Sequence, residues 1–251
     1  MCGLFGYYRY GKGTNTGVSL KLLVEKLAKE SAVRGTHATG IAYMDRKELV
    51  IHKAPKSAYE FREYDKIPYD TRVVMGHTRH TTQGSEKKNM NNHPFLGIAN
   101  KREMFAFAHN GVLDNDVELR KLYNLPETKI ETDSYIAVQL LESRRALNFE
   151  SVRWMAEQVE GMFTFTILDN KNRLWVVKND SPFNIVHFKK NKLYVYASTK
   201  DILHNALFGF SATRDIMMGI LQGNLDAKEE LEYITPEAGT ILQFNQDGTV
   251  N

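Results

Sequence analysis

The 251-residue sequence contains a single cysteine, which excludes an internal disulfide and a zinc site built from several thiolates. It also lacks any uninterrupted apolar run of about 18 to 20 residues, the length that a membrane-spanning helix needs. Its start, MCGLFGYYRYGKG, has no basic stretch followed by an apolar core of the kind that marks a signal peptide. We therefore expect a cytoplasmic protein that does not interact with membranes.

An excess of charge of one sign is also absent. The sequence has 33 basic and 30 acidic residues, for a net charge of +3, and they are spread along the chain. This distribution gives little support for nucleic-acid binding, which favours a concentrated basic surface. No repeat and no Pro/Gly-rich linker divides the chain, so we expect one domain over residues 1–251, with 42% hydrophobic residues to form its core.

The spacing of apolar residues predicts two groups of strands and two groups of helices. Strands are predicted over residues 2–10, 40–45, 49–54, 71–79, 104–112, 161–169, 173–180, 183–190 and 192–199, with a closing hairpin over 239–250. Helices are predicted over residues 18–33, 132–147, 150–161, 201–209 and 213–223. Helices packed outside two stacked, mostly antiparallel sheets would accommodate this order, which is an α+β fold. The polar stretch 81–92 is predicted to be a lid.

Cys2 directly follows the initiator methionine. Methionine is commonly trimmed before small residues, and trimming would give Cys2 a free α-amine with a reference pKa of about 7.7 to 8.0, which suits a proton acceptor near neutral pH. One residue would then supply both the nucleophile and the base. A lone cysteine can equally be a small apolar core residue.

Three further motifs follow the N-terminal CGLFG segment in order: GHTR at 76–79, AHNG at 108–111 and ETDS at 131–134. Together they resemble the class II glutamine amidotransferases, the family of N-terminal-nucleophile glutaminase domains found in glucosamine-6-phosphate synthase, amidophosphoribosyltransferase, asparagine synthetase and glutamate synthase. The resemblance spans roughly residues 2–200. It implies the four-layer αββα sandwich of the N-terminal-nucleophile hydrolases.

Free glutamine presents a carboxylate, an ammonium group and a neutral amide. A site specific for it needs a cation, an anion and hydrogen-bond donors that stabilise the oxyanion formed from the amide carbonyl. Arg79 can pair with the α-carboxylate through two parallel N–H bonds, and the resemblance assigns it that role. The resemblance assigns the α-ammonium to Asp133, although an Asp at the start of a predicted helix can also be a cap. Thr82, which follows the family pattern in the loop after Arg79, is expected to bind substrate.

Asn110 and Gly111 are predicted to lie where a strand ends. Their side-chain amide and backbone N–H could point at the oxygen of a tetrahedral intermediate, and the resemblance implies an oxyanion hole built in this way. An Asn-Gly pair is also a common tight turn, which remains the alternative interpretation.

The resemblance therefore implies an enzyme that hydrolyses the side-chain amide of L-glutamine to glutamate and ammonia through a Cys2 thioester. Because 251 residues leave no room for the ammonia-consuming domain of the larger family members, the ammonia is expected to reach a separate synthase or other acceptor. Nothing in the sequence requires a cofactor.

The family pattern is broken at four positions: His37, Ala38, His80 and Gln83. These departures keep two alternatives open. One is a hydrolase of other γ-glutamyl amides. The other is a catalytically silent, glutamine-sensing module, which would require that Met1 is retained and blocks the amine.

Four histidines invite a metal hypothesis: His77, His80, His93 and His109. Their spacings match no compact ligand pattern, so no metal site is expected. His77 and His109 lie inside the family motifs, where we expect them to orient loops by hydrogen bonds.

Overall fold

The computed structural model describes residues 1–11, 20–209 and 231–251. Its strands are β1 (Gly3–Arg9), β2 (Ala38–Asp45), β3 (Glu48–Ala54), β4 (Val73–Arg79), β5 (Phe95–Asn100), β6 (Glu103–Leu113), β7 (Gly161–Asp169), β8 (Leu174–Lys178), β9 (Asn184–Phe188), β10 (Leu193–Ala197), β11 (Leu231–Ile234) and β12 (Thr240–Phe244). Its helices are α1 (Leu20–Ser31), α2 (Asp116–Leu122), α3 (Tyr135–Ser143), α4 (Phe149–Gln158) and α5 (Lys200–Phe208). None of the helices in these ranges is long and apolar enough to cross a bilayer.

The strands form two antiparallel sheets. The larger one, here called the β1 sheet, has the order β11-β9-β10-β1-β4-β2-β3, and the smaller one, the β6 sheet, has the order β12-β8-β7-β6-β5. Strand β1 lies inside its sheet, paired with β10 on one side and β4 on the other. Strand β6 is likewise internal, between β5 and β7.

Three hydrophobic clusters separate four layers. Helices α1 and α5 cover the outer face of the β1 sheet, where Phe5 is buried against residues such as Leu27. Helices α3 and α4 cover the β6 sheet. Leu4 and Ala108 belong to the third cluster, which fills the space between the two sheets. Since neighbouring residues of β1 point to opposite faces, both of which are buried, the predicted αββα arrangement is confirmed.

The strand predicted over 104–112 is confirmed with one more residue at each end, but it does not turn at Asn110 and Gly111. Strand β6 runs through both residues to Leu113, and they pair with Thr164 and Phe163 of β7. Pairing with a long neighbouring strand overrides the local turn preference of the Asn-Gly pair. The tight-turn alternative is therefore excluded, and both residues lie on a sheet whose position is fixed by its neighbours.

Other elements differ in smaller ways. Strands β5 and β11 and helix α2 were not predicted, and the return strand of the closing hairpin is reduced to one bridge between Phe244 and Val250. Helix α3 is shorter than its predicted span of 132–147 at both ends, because it begins only at Tyr135 and ends at Ser143. The helix predicted over 213–223 lies outside the described residues.

Gly76 explains why two of the sequence motifs occur together. It pairs with Phe5 across β4 and β1, and the Phe5 ring covers it. A Cβ atom at position 76 would lie 2.2 Å from the Phe5 ring. The glycine of the GHTR motif thus makes room for the phenylalanine of the CGLFG motif, which holds β1 in its place beside β4.

We predict that Gly76→Ala lowers the free energy of unfolding by about 1–3 kcal/mol, the usual cost of overpacking a core. Urea denaturation of the purified variant measures this loss. The double variant Gly76→Ala/Phe5→Leu should lose less than the sum of the two single variants, because the smaller side chain leaves room for the new methyl group. Strict additivity would contradict the proposed contact.

Candidate active site

Four of the residues singled out in the sequence lie at or near the ends of internal strands of the two sheets, or just before helix α3. Cys2 precedes β1, Arg79 ends β4, Asn110 lies in β6, and Asp133 precedes α3. Their side chains are buried, with exposed fractions of 9%, 3%, 0% and 4%. The charges of Arg79 and Asp133 both act on the Cys2 thiol. The structure therefore brings these four residues together, whereas Thr82 is exposed.

The Cys2 thiol is in an unactivated state in the chain that carries Met1. The Sγ–H donates a hydrogen bond to the backbone oxygen of His80 at 3.6 Å. Burial raises the pKa of the thiol, while the nearby Arg79 charge opposes this effect. With Met1 attached, the nitrogen of Cys2 belongs to a peptide bond and cannot accept a proton.

Arg34 connects Cys2 to the β6 sheet, a contact that was not predicted. Its Nε–H donates to the backbone oxygen of Cys2 at 2.6 Å, and its Nη2 donates to Oδ1 of Asn110 at 3.4 Å. Burial lowers the pKa of Arg34, and the charge of a Cys2 thiolate raises it. The two partners of Arg34 are 32 and 76 residues away in sequence, so no local pattern around Arg34 indicates them.

Of the two polar atoms in the side-chain amide of Asn110, Oδ1 has a hydrogen-bond partner and Nδ2 has none among the described residues. Oδ1 accepts the hydrogen bond from Arg34, so Nδ2 faces the other way. Nδ2 is buried and has no acceptor within the described part of the chain. An unpaired buried donor costs about 1–3 kcal/mol, so its presence suits a place where a ligand supplies the acceptor.

Gly111 follows Asn110 with a φ of 146°, a conformation that favours glycine. A Cβ atom here would lie 1.8 Å from the backbone oxygen of Met162 on β7. Glycine is therefore required at this position by the close approach of the neighbouring strand.

Arg79 holds the 81–92 loop, the segment predicted to be a lid. Its Nη1 donates to Oδ1 of Asn92 at 2.7 Å, and its Nη2 donates to the backbone oxygens of Gln83 and Gly84 at 2.6 and 2.8 Å. These bonds fold the two ends of the loop around one guanidinium. Any ligand bound by Arg79 therefore contacts a group that also determines the position of the loop.

Asp133 does not cap helix α3. Its Oδ2 accepts a hydrogen bond from the backbone N–H of Leu113 at 2.7 Å, and its Oδ1 accepts one from the Ser134 hydroxyl at 3.3 Å. The capping position is occupied by Ser134, without a side-chain capping bond. Asp133 is thus a buried anion attached to the end of β6, and its backbone N–H donates to Oε1 of Gln83 in the 81–92 loop at 3.2 Å.

The positions that depart from the family pattern form contacts of their own. The rings of His37 and His80 stack with their centroids 5.0 Å apart. The backbone N–H of Thr81 donates to Nδ1 of His37 at 3.0 Å. Together with the bond between Gln83 and Asp133, these contacts attach the start of the loop to β2 and to the site.

Three buried histidines lie behind the site in neutral form. Burial lowers the pKa of His77 to about 3 and that of His109 to about 4, and it lowers the pKa of His93 well below its ordinary value. Nδ1 of His109 lies 2.8 Å from the Ser134 hydroxyl. In the described ranges, no three His, Cys, Asp or Glu side chains are placed to hold a metal ion.

Comparison with known proteins gives a consistent result. A family model described as a glutamine amidotransferase domain matches residues 77–205. Glutamine–fructose-6-phosphate aminotransferase (isomerizing) of Bacillus spizizenii is 31% identical over 188 residues, which cover 72% of this chain and 30% of that protein. The 7-cyano-7-deazaguanine synthase of Saccharolobus solfataricus is 29% identical over 197 residues, covering 74% and 40%. The chain thus spans less than half the length of these curated relatives.

A solved structure shares the fold. Glutamine phosphoribosylpyrophosphate amidotransferase from B. subtilis, complexed with ADP and GMP, superposes with a TM-score of 0.70 at 19% identity, covering 100% of this chain and 49% of that one. At this identity the likeness concerns the fold alone. It agrees with the two stacked antiparallel sheets and their outer helices.

We predict that the folded protein is sensitive to mild acid because His77 and His109 are buried in neutral form. Their folded pKa values lie below the ordinary value of about 6.5, so the unfolded chain binds protons between pH 6.5 and 5 that the folded chain does not. The stabilisation is complete above pH 6.5 and is lost as the pH falls. At pH 5 the loss amounts to about 2 kcal/mol per histidine.

Urea denaturation at pH 7.5, 6 and 5 measures this dependence. The variant His109→Gln should show a shallower decline than the parent protein, by the contribution of about one proton. A free energy of unfolding that does not change from pH 7.5 to 5 would contradict this prediction, because it would mean that the histidines take up protons in the folded state over this range.

Proposed function

Because this chain belongs to the class II glutamine amidotransferase family, we propose that it hydrolyses the side-chain amide of L-glutamine, using Cys2 as the nucleophile. The observation that supports this most is the unpartnered Nδ2 of Asn110. It is a buried hydrogen-bond donor near the end of strand β6, on a residue joined to Cys2 through Arg34. Such a donor suits an oxyanion that exists only during the reaction.

Removal of Met1 is the first step that the proposal requires. It converts the peptide nitrogen of Cys2 into an amine that can take the thiol proton, directly or through a water molecule. The thiolate then attacks the side-chain carbonyl carbon of glutamine. A carbon–sulfur bond forms, and the carbonyl oxygen becomes an oxyanion that accepts hydrogen bonds from Nδ2 of Asn110 and the backbone N–H of Gly111.

Collapse of this intermediate breaks the carbon–nitrogen bond. The α-ammonium of Cys2 returns its proton to the leaving nitrogen, so ammonia departs and a thioester remains on Cys2. Water, deprotonated by the same amine, then attacks the thioester and releases glutamate and the free thiol. No group beyond Cys2 and the oxyanion donors has to change its bonding in this scheme.

Arg79 and Asp133 supply the charges that distinguish free glutamine from a peptide amide. Arg79 pairs with the α-carboxylate, and Asp133 pairs with the α-ammonium. Arg79 also holds the 81–92 loop, so binding of the carboxylate and covering of the site would occur together. Thr82, exposed on this loop, would contact substrate only when the loop closes over it.

The ammonia acceptor is proposed to be a synthase. The relatives matched here are named as an aminotransferase and a synthase, and each extends well beyond the matched region. In this proposal the chain is a glutaminase domain that passes ammonia to a synthase. Transfer of ammonia can be tested with a co-purifying synthase, whose product should form from glutamine only when Cys2 is intact.

We predict that glutamate release from glutamine requires both Cys2 and the loss of Met1. Protein whose intact mass shows complete removal of Met1 should be active, whereas protein that retains Met1 should be inactive, because it lacks the amine base. Cys2→Ala should be inactive in both forms. Glutamate release by Cys2→Ala would contradict the proposed nucleophile, and faster hydrolysis of γ-glutamyl alkylamides than of glutamine would favour a different substrate class.

A second prediction separates the oxyanion donor from the substrate-binding cation. Asn110→Ala and the isosteric Asn110→Asp should lower kcat by about a hundred- to a thousandfold, because both remove the Nδ2 donor. Arg79→Lys should mainly raise KM, because a lysine ammonium has too few donors to bind the α-carboxylate and also the three loop oxygens of Gln83, Gly84 and Asn92 that the guanidinium binds. Steady-state kinetics with glutamine give both constants. Equal effects of the two substitutions on KM would contradict this division of roles.

A further inference from the structure

His77 joins the two sheets directly behind the candidate site. It lies in β4, and its Nε2 is 2.9 Å from the backbone oxygen of His109 in β6. Both residues are buried. Since side chains two residues apart on a strand point to the same face, His77 and Arg79 face the β6 sheet together.

The protonation state of His77 follows from its surroundings. Burial lowers its pKa to about 3, and the charge of Arg79 adds to this effect, so the ring is neutral and carries a single proton. A backbone oxygen can only accept a hydrogen bond. The proton is therefore on Nε2, while Nδ1 has no hydrogen-bond partner among residues 1–11, 20–209 and 231–251.

The bonded oxygen belongs to the peptide unit that leads into Asn110. A peptide unit is planar, so fixing the oxygen of His109 also fixes the direction of the bond to the Asn110 nitrogen and the position of the Asn110 Cα. At the end of the Asn110 side chain, Oδ1 accepts a hydrogen bond from Arg34. The backbone and the side chain of Asn110 are thus each attached to a residue outside its own sheet.

We propose that His77 is a positioning residue that sets the oxyanion donors of β6 at a fixed distance from the nucleophile. This inference rests on the proposed glutaminase function. His77 takes no part in proton transfer, because it stays neutral across the working pH range and its proton is committed to the backbone of His109. Its effect is confined to where Asn110 and Gly111 stand relative to Cys2.

Two substitutions test the hydrogen bond itself. His77→Leu removes the donor, whereas His77→Gln offers an amide N–H in a similar place. We expect His77→Leu to lower kcat about tenfold or more while KM changes less than about threefold, and His77→Gln to recover most of the loss. Alkylation of Cys2 by iodoacetamide, which needs no oxyanion hole, should proceed at the parent rate in both variants.

His93→Leu is the matched control. It removes a buried imidazole whose ring lies against that of His77, with centroids 4.3 Å apart and planes tilted by 33°, yet neither nitrogen of His93 has a hydrogen-bond partner in the described structure. The kcat of the His93→Leu variant should stay within about threefold of the parent value, even if the variant is less thermally stable. If His93→Leu lowers kcat as much as His77→Leu, or if His77→Gln is as impaired as His77→Leu, the proposed role is wrong.

Nitrogen-15 NMR of the unmodified protein gives a readout that does not depend on activity. The spectrum should show His77 protonated at Nε2 only, unchanged from pH 5 to 8. Protonation at Nδ1, or titration in this range, would overturn the inference even if the variants cannot be purified. If the parent protein released no glutamate, the proposed function would fail, whereas the NMR result would still decide whether His77 holds the His109 carbonyl.

Discussion

The site depends on the pairing of β1 along both of its edges. The ends of a chain usually fray, yet catalysis requires a nucleophile held within a fraction of an ångström. Residues Gly3–Tyr8 pair with β4, residues Phe5–Arg9 pair with β10, and the backbone N–H of Leu4 donates to the Ser198 hydroxyl at 2.8 Å. A strand secured in this way fixes the position of the chain immediately after Cys2.

A second constraint is the balance of charge in the buried space around Cys2. The N-terminal ammonium and the guanidinium groups of Arg34 and Arg79 bring three positive charges close to the thiol, against one anion, Asp133. This surplus favours a thiolate and an oxyanion, and it opposes the effect of burial on the thiol. It also makes further positive charge costly, which is consistent with the neutral state of His77 and His93 beside Arg79.

Much of the fold could be predicted from sequence, because alternating apolar residues mark β7, a continuous apolar run marks β10, and the four motifs occur in the family order. Strand β5 could not, since the short segment FLGIAN exposes Leu96 and Ile98 and becomes a strand only by pairing with β6. The continuation of β6 through Asn110 depends on β7 in the same way. The bridge made by Arg34 arises from contacts between residues distant in sequence, which no local pattern contains.

The central claim is that Cys2, freed of Met1, forms a covalent bond with the γ-carbonyl carbon of glutamine. Rapid acid quenching of the protein with glutamine, followed by intact-mass and peptide mass spectrometry, tests this claim directly. The account predicts a mass increase of one γ-glutamyl group, located on Cys2 and confined to molecules that lack Met1. An adduct on another residue, or one formed equally in molecules that retain Met1, would contradict it.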